Sequence, residues 1–210
     1  MSLNAGCPRC PSPLMQADDG WRCGQHGTVP PLWSPDEASY DDFGEHLNRA
    51  DDFPTYLPWP LASGWRVTDF GVVRGEGRAR ATMVALAGNS DLDGPVEVLV
   101  VSEEPGTGLG ARCAGTVHSD PGAQIGASRP TTRVRLDAQP VSLWPVSTAE
   151  NDLTLDRSVV AGEAWGRWLW LVLRPASAVF LLADDLPLAD VSGIGASLLE
   201  VPFGGPPPRW

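Results

Sequence analysis

The chain has 210 residues, 42% of them hydrophobic, and a formal net charge of −11. A chain of this size hides roughly 70% of its unfolded surface on folding, so it can build a core without disulfides, as one domain or one domain with a small appendage. Nine Trp exclude a wholly disordered chain, and the longest apolar run, Trp168–Leu173, falls far short of the roughly 20 residues of a membrane helix.

Residues 1–9 lack the basic start and apolar stretch of a signal peptide, so the expected location is cytoplasmic. All 15 basic residues are Arg, and residues 34–53 set seven carboxylates against Arg49 alone. Nucleic-acid and anionic-membrane partners are not expected, because both need concentrated positive charge. Arg129, Arg133 and Arg135 form the only close basic cluster along the chain.

The strongest motif comes first. Cys7-Pro8-Arg9-Cys10 and Cys23-Gly24-Gln25-His26 form a C-x2-C-x12-C-x2-H pattern. Tetrahedral Zn²⁺ takes four such ligands, and each short turn aims two side chains at one centre. Leu14–Ala17 and Trp21-Arg22 flank Asp18-Asp19-Gly20, a hairpin signal that returns Cys23 to Cys10. The pattern predicts a zinc ribbon over residues 1–33.

Other chemistries fit less well. Disulfides suit exported chains. A thioredoxin-like motif needs a helix where Pro11 and Pro13 stand, and c-type haem attachment needs His at Pro11. Iron and a chance grouping of free thiols stay open as alternatives. Four ligands close the shell and leave no position for a reacting water, so the expected Zn²⁺ is structural. Cys113 reads as a small buried hydrophobe.

Ser34-Pro35-Asp36-Glu37 predicts a helix start, with a cap, a proline at the first helical position and a capping box. Tyr40, Phe43 and Leu47 then make an apolar stripe, and the acidic amphipathic helix and linker span residues 34–53. Pro54, Pro58 and Pro60 lead into a β-rich body over residues 54–204, and residues 205–210 form a Pro-rich tail. Strand-like runs are Trp65–Val73, Arg78–Ala87, Val96–Ser102, Val134–Asp137, Val141–Val146, Arg167–Leu173, Val179–Leu182 and Ser197–Pro202. Their short spacing favours antiparallel hairpins. The expected fold class is α+β: a mainly antiparallel β body, an N-terminal zinc ribbon and one acidic linking helix.

Gly106-Thr107-Gly108-Leu109-Gly110-Ala111 matches G-x-G-x-x-A after an apolar run. Such a loop can cradle an anion at a helix start. Gly106, Gly108, Gly110 and Arg112 are therefore candidate ligand-binding residues for a small phosphate, carboxylate or acyl phosphate. Glu103 and Glu104 oppose this by placing negative charge just before the loop. Trp165, Trp168 and Trp170 read as core rather than as a pocket wall. Asp184, Asp185 and Asp190 read as solvated loop carboxylates rather than as a cation site. No arrangement of catalytic residues can be argued from spacing, and no catalytic residue is assigned.

Several phrases carry a resemblance: the Cys-Pro-x-Cys head, His26–Leu32, Pro58–Trp65, Gly108–Arg112 and Ala161–Trp170. Together they resemble an uncharacterised actinobacterial family with a zinc-ribbon head and a domain of unknown function. The resemblance spans nearly the whole chain and implies no activity; it carries over only the metal ligands Cys7, Cys10, Cys23 and His26. The expected role is that of a non-enzymatic interaction or regulatory protein with a protein partner, and the alternative is small-anion binding or processing at Gly106–Gly110.

Overall fold

A computed structural model describes residues 3–18, 20–116, 118–148, 156–183 and 186–208. The chain opens with β1 (Asn4–Gly6), the hairpin strands β2 (Met15–Ala17) and β3 (Gly20–Cys23), then β4 (Gly27–Thr28) and β5 (Leu32–Ser34). Helix α1 (Tyr40–Ala50) and strand β6 (Tyr56–Pro58) follow, and then the long strands β7 (Arg66–Gly75), β8 (Arg78–Ser90) and β9 (Gly94–Glu103). A short helix α2 (Leu109–Ala114) precedes β10 (Thr132–Leu136), β11 (Gln139–Pro145), β12 (Ser158–Ala164), β13 (Arg167–Arg174) and β14 (Pro187–Asp190).

Among the described residues, eleven strands join in one sheet in the order β1-β5-β7-β8-β9-β13-β12-β11-β10-β14-β6, and β2-β3-β4 make a separate small sheet. The pairings are antiparallel except for β10 with β14. The fold is thus α+β with a mainly antiparallel sheet. The large sheet curls, so that its far strand β6 comes back against β8 and β9. Period-two alternation splits the central strands between two cores. Val98 and Val100 of β9, with Leu169 and Leu171 of β13, face the inside of the curl. Leu99 and Val101, with Trp170 and Val172, face the other side, which α2 covers with Leu109 and Cys113.

The long strands follow the apolar runs closely. β8 does not stop at Gly88-Asn89-Ser90, however, but runs through it. A Cβ on Gly88 would meet the Trp65 ring at 2.3 Å, so this glycine marks a close approach inside a strand rather than a turn. Glu76 (φ 55°) and Gly77 (φ 79°) make the tight turn between β7 and β8.

Several expectations are corrected. The helix starts at Tyr40, not at Pro35, because Leu32–Ser34 is drawn into the sheet: Ser34 pairs with Asn4, and Leu32 with Val73. The cap is Ser39, whose hydroxyl accepts from the Asp42 backbone N–H at 3.2 Å and donates to the Asp42 carboxylate at 2.5 Å. The apolar stripe serves its own fold. Phe43 is buried against Phe70 (ring centroids 5.0 Å) and Phe203 (5.4 Å), and His46 stacks on Phe43 at 5.5 Å. Val179–Leu182 and Ser197–Pro202 are largely 3-10 turn, Ala176–Leu182 and Gly195–Glu200, rather than strand. Strands β12 and β14 lie in stretches that the alternation pattern passes over. Just before the Pro-rich tail, Phe203 bridges Val67 and joins the core cluster around Phe43.

Removing the observed cap should cost about 1 kcal/mol of stability. Ser39→Ala should therefore lower the urea midpoint, whereas Ser34→Ala should stay within about 0.5 kcal/mol of the parent. The reverse ranking would restore the earlier helix start.

Candidate metal centre

Residues 3–29 bring two ligand pairs together through local turns. A Gly6–Pro13 bridge closes the loop that carries Cys7 and Cys10. The β2–β3 hairpin then returns the chain, with Arg22 opposite Met15. Cys23 ends β3, and its pairing with Gly27 (φ 67°) folds the turn that presents His26. Asp19, part of the predicted turn, lies outside the described residues.

The Sγ atoms of Cys7, Cys10 and Cys23 and a ring nitrogen of His26 all lie within 4.8 Å of one another. His26 Nδ1 is 3.6 Å from both Cys7 Sγ and Cys23 Sγ, and the Cys10 and Cys23 sulfurs are 3.6 Å apart. A tetrahedral site with Zn–S near 2.3 Å has ligand–ligand edges of about 3.8 Å, slightly less where nitrogen replaces sulfur. The observed edges match that geometry and are far too long for a disulfide; all the cysteines are free thiols. Backbone N–H groups of Arg9 and Gln25 point at Cys7 Sγ (3.4 Å) and Cys23 Sγ (3.5 Å). Burial pushes the Cys7 thiol up to about 11. For Cys10 burial acts in the same sense, but the Ser12 hydroxyl and N–H, with Cys23 and Cys7, more than offset it and hold the thiol near 6. The donor set is compatible with a bound metal ion.

The cluster is fastened to the body. Arg9, between the first two cysteines, donates to the carbonyls of Thr107 (Nε, 3.2 Å) and Gly106 (Nη2, 2.6 Å). In return Arg112 Nη1 donates to the Cys7 carbonyl. The glycine loop is therefore a docking plate. Gly108 lies directly under Arg9, where a Cβ would come within 3.1 Å of the arginine side chain.

This changes the reading of Gly106, Gly108, Gly110 and Arg112. The anion position at the start of α2 is filled from within the chain. Glu103 Oε2 accepts from Leu109 N (2.8 Å) and Gly110 N (3.2 Å), and Oε1 accepts from Trp170 Nε1 (2.7 Å). A neighbouring carboxylate, Asp120, takes the N–H of Gly106 and the indole of Trp168. Gly110 is glycine because a Cβ would strike the Trp170 ring at 2.3 Å. The G-x-G-x-x-A pattern here accompanies close packing and an internal carboxylate at the start of α2.

The remaining candidates separate. Trp170 is fully buried, Trp168 partly so, and Trp165 is exposed at the β12–β13 turn. Asp190 accepts from the N–H groups of Thr55 and Ser192, and Asp184 and Asp185 lie outside the described residues. Cys113 is buried in α2, and burial pushes its thiol well up. Arg133 and Arg135 lie on the exposed face of β10. Sequence reasoning missed Glu103 and Arg9 as functional positions. Their signals were a charge at the very end of an apolar strand and a charged residue inside a metal knuckle.

The chain belongs to a family of unknown function, DUF6758, which matches residues 1–210. No curated protein and no solved structure matches it. Among the described residues, no helix is long and apolar enough to cross a membrane.

Glu103 makes stability pH-dependent. Burial raises its carboxyl from 4.5 to about 7, against the three donors that favour the anion. A raised folded-state pKa contributes stability that is full below 4.5 and is lost as pH rises through 7, on the order of 3 kcal/mol. His46 acts in the opposite sense, since burial holds its imidazole down at about 3. The difference in unfolding free energy between the parent and Glu103→Gln isolates the carboxylate. That difference should move against the parent between pH 4.5 and 7 and be flat above about pH 8.

Proposed function

We propose that the protein is a zinc-binding protein whose Cys7, Cys10, Cys23 and His26 close a structural zinc ribbon, and that its role is non-enzymatic: an interaction or regulatory head carried on a β body. The carrying observation is the mutual approach of four donor atoms from two short turns, within 4.8 Å of one another. Three thiolates and one imidazole suit Zn²⁺ and leave its tetrahedral shell complete. A head of about 25 residues buries too little to fold unaided, whereas structural zinc contributes roughly 10–16 kcal/mol of apparent binding energy.

The head is an anchored module rather than a swinging arm. Arg9 and Arg112 cross between head and body by hydrogen bonds to main-chain carbonyls, and β5, close behind the head, enters the large sheet. Met15 of the β2–β3 hairpin remains 67% exposed, an apolar side chain that a protein partner would cover. Cytoplasmic residence accords with free thiols held ready for a metal.

The purified chain should carry one zinc per molecule by elemental analysis and be colourless; iron at that stoichiometry would overturn the zinc assignment. Cys23→Ser should lose the metal and the amide-exchange protection of residues 5–28, while β7, β8, β9 and β13 stay protected. An interaction role requires that cross-links to a protein partner depend on the folded head, so they should vanish in the same variant.

A further inference from the structure

The head and body enclose a second feature that the metal centre does not use. A cleft of about 550 Å³ opens between the β3–β4 segment of the head and the β7–β8 hairpin, within the range of small-molecule sites. Its walls bring together Trp21, Trp33, Arg49, Arg74 and Arg80, with Glu76 among the lining residues. Trp21 and Trp33 meet edge to face (5.7 Å, 89°), so their rings form an apolar corner. Arg49 lies over the Trp33 ring, 4.4 Å from its centroid.

Three guanidinium groups gather here in a chain with a net charge of −11. Their present partners leave the charge of Arg74 uncompensated. Arg74 donates to the carbonyls of Arg49 and Gly77, which satisfy its donors without neutralising it. Arg49 pairs with Glu45, and Arg80 with Glu76, whose side chain is 81% exposed. Such exposed pairs contribute little and are readily exchanged. Arg80 Nε is buried and has no hydrogen-bond partner among the described residues. A buried donor without an acceptor carries a standing cost. Guanidinium forks match phosphate oxygens, and indole faces and edges accept planar rings.

We propose that this cleft binds a small planar anion, an aromatic ring bearing a phosphate group, with Arg80 and Arg74 holding the phosphate and the Trp21–Trp33 corner holding the ring. The site is separate from the Gly106–Gly110 loop, and it holds whichever ion occupies the cysteine cluster.

Adenosine 5′-monophosphate is the probe, added to the full-length, metal-loaded chain, with adenosine and inorganic phosphate as the ring-only and anion-only arms. At 100 times its dissociation constant the nucleotide should raise Tm by roughly 5–10 °C, and it should bind at least tenfold more tightly than either arm. Arg80→Gln should weaken it tenfold or more, and Arg49→Gln should weaken it to a lesser degree, with metal content and circular dichroism unchanged in both. No calorimetric or thermal response to the nucleotide at 10 mM overturns the proposal, as does binding that neither variant changes. Inorganic phosphate binding as tightly as the nucleotide overturns the ring's part in it. Metal content, measured on the same samples, judges the zinc reading separately.

Discussion

Three N–H donors converge on one carboxylate, and much of the molecule is arranged around that meeting. Glu103 ends β9, Trp170 belongs to the neighbouring β13, and Leu109 and Gly110 open α2. A buried charge is tolerable only when its oxygens are satisfied, so the two strands and the helix start must keep their relative places. The loop held in this way turns the carbonyls of Gly106 and Thr107 toward Arg9. One internal carboxylate therefore sets the platform on which the cysteine-bearing head rests. Truncating Glu103 would orphan all three donors at once, a loss of several kcal/mol.

The head and the platform divide the work of ordering residues 3–29. Within the head, the four ligand side chains define its interior: Cys7, Cys10 and Cys23 are buried with Val29, and Leu14 packs beside them. That core is small, and the four donor atoms lie at its centre. Orientation comes instead from the two arginines, because a bond to a main-chain carbonyl fixes position without requiring a complementary charge. Arg9 lies between Cys7 and Cys10, and Arg112 reaches the carbonyl of one of them, Cys7. Any tilt of the head must break bonds made by the same residues that form the knuckle.

What was legible in the sequence is what depends on near neighbours. The knuckles were readable because C-x2-C and C-x2-H place ligands within one turn, and an intervening hairpin needs only a few residues. The central strands were readable because their apolar runs are long and buried on both faces. The helix start was misplaced since Ser34-Pro35 has good capping chemistry, yet the pull of β5 into the sheet, a contact with β7 some 40 residues away, overrides it. The surroundings of the glycine loop were not legible either. Its composition fits a phosphate cradle, and only the tertiary fold shows that Glu103 already occupies the cradle and that Trp170 needs the space at Gly110. The segments Ala176–Leu182 and Gly195–Glu200 are short, and apolar side chains such as Leu182 and Leu198 serve 3-10 turns that close the core, so alternation carries no signal there.

The arginines make the same point about charge. Spacing picks out Arg129, Arg133 and Arg135, yet β10 turns Arg133 and Arg135 to solvent. The cationic convergence is built from Arg74 on β7 and Arg80 on β8, which their own hairpin brings together, and from Arg49 on α1, which the packing of helix on sheet adds. Its opposite wall is Trp21, on the same strand as the ligand Cys23, and Thr28, next to the partner of that ligand in the β3–β4 ladder. The segment that closes the metal shell is thus also the segment that closes the cleft. A loosened head would lose the Trp21–Trp33 corner, leaving three arginines on an open face where water screens them. The donor cluster of the head and the electrostatic character of the cleft are two consequences of one short hairpin being held in place.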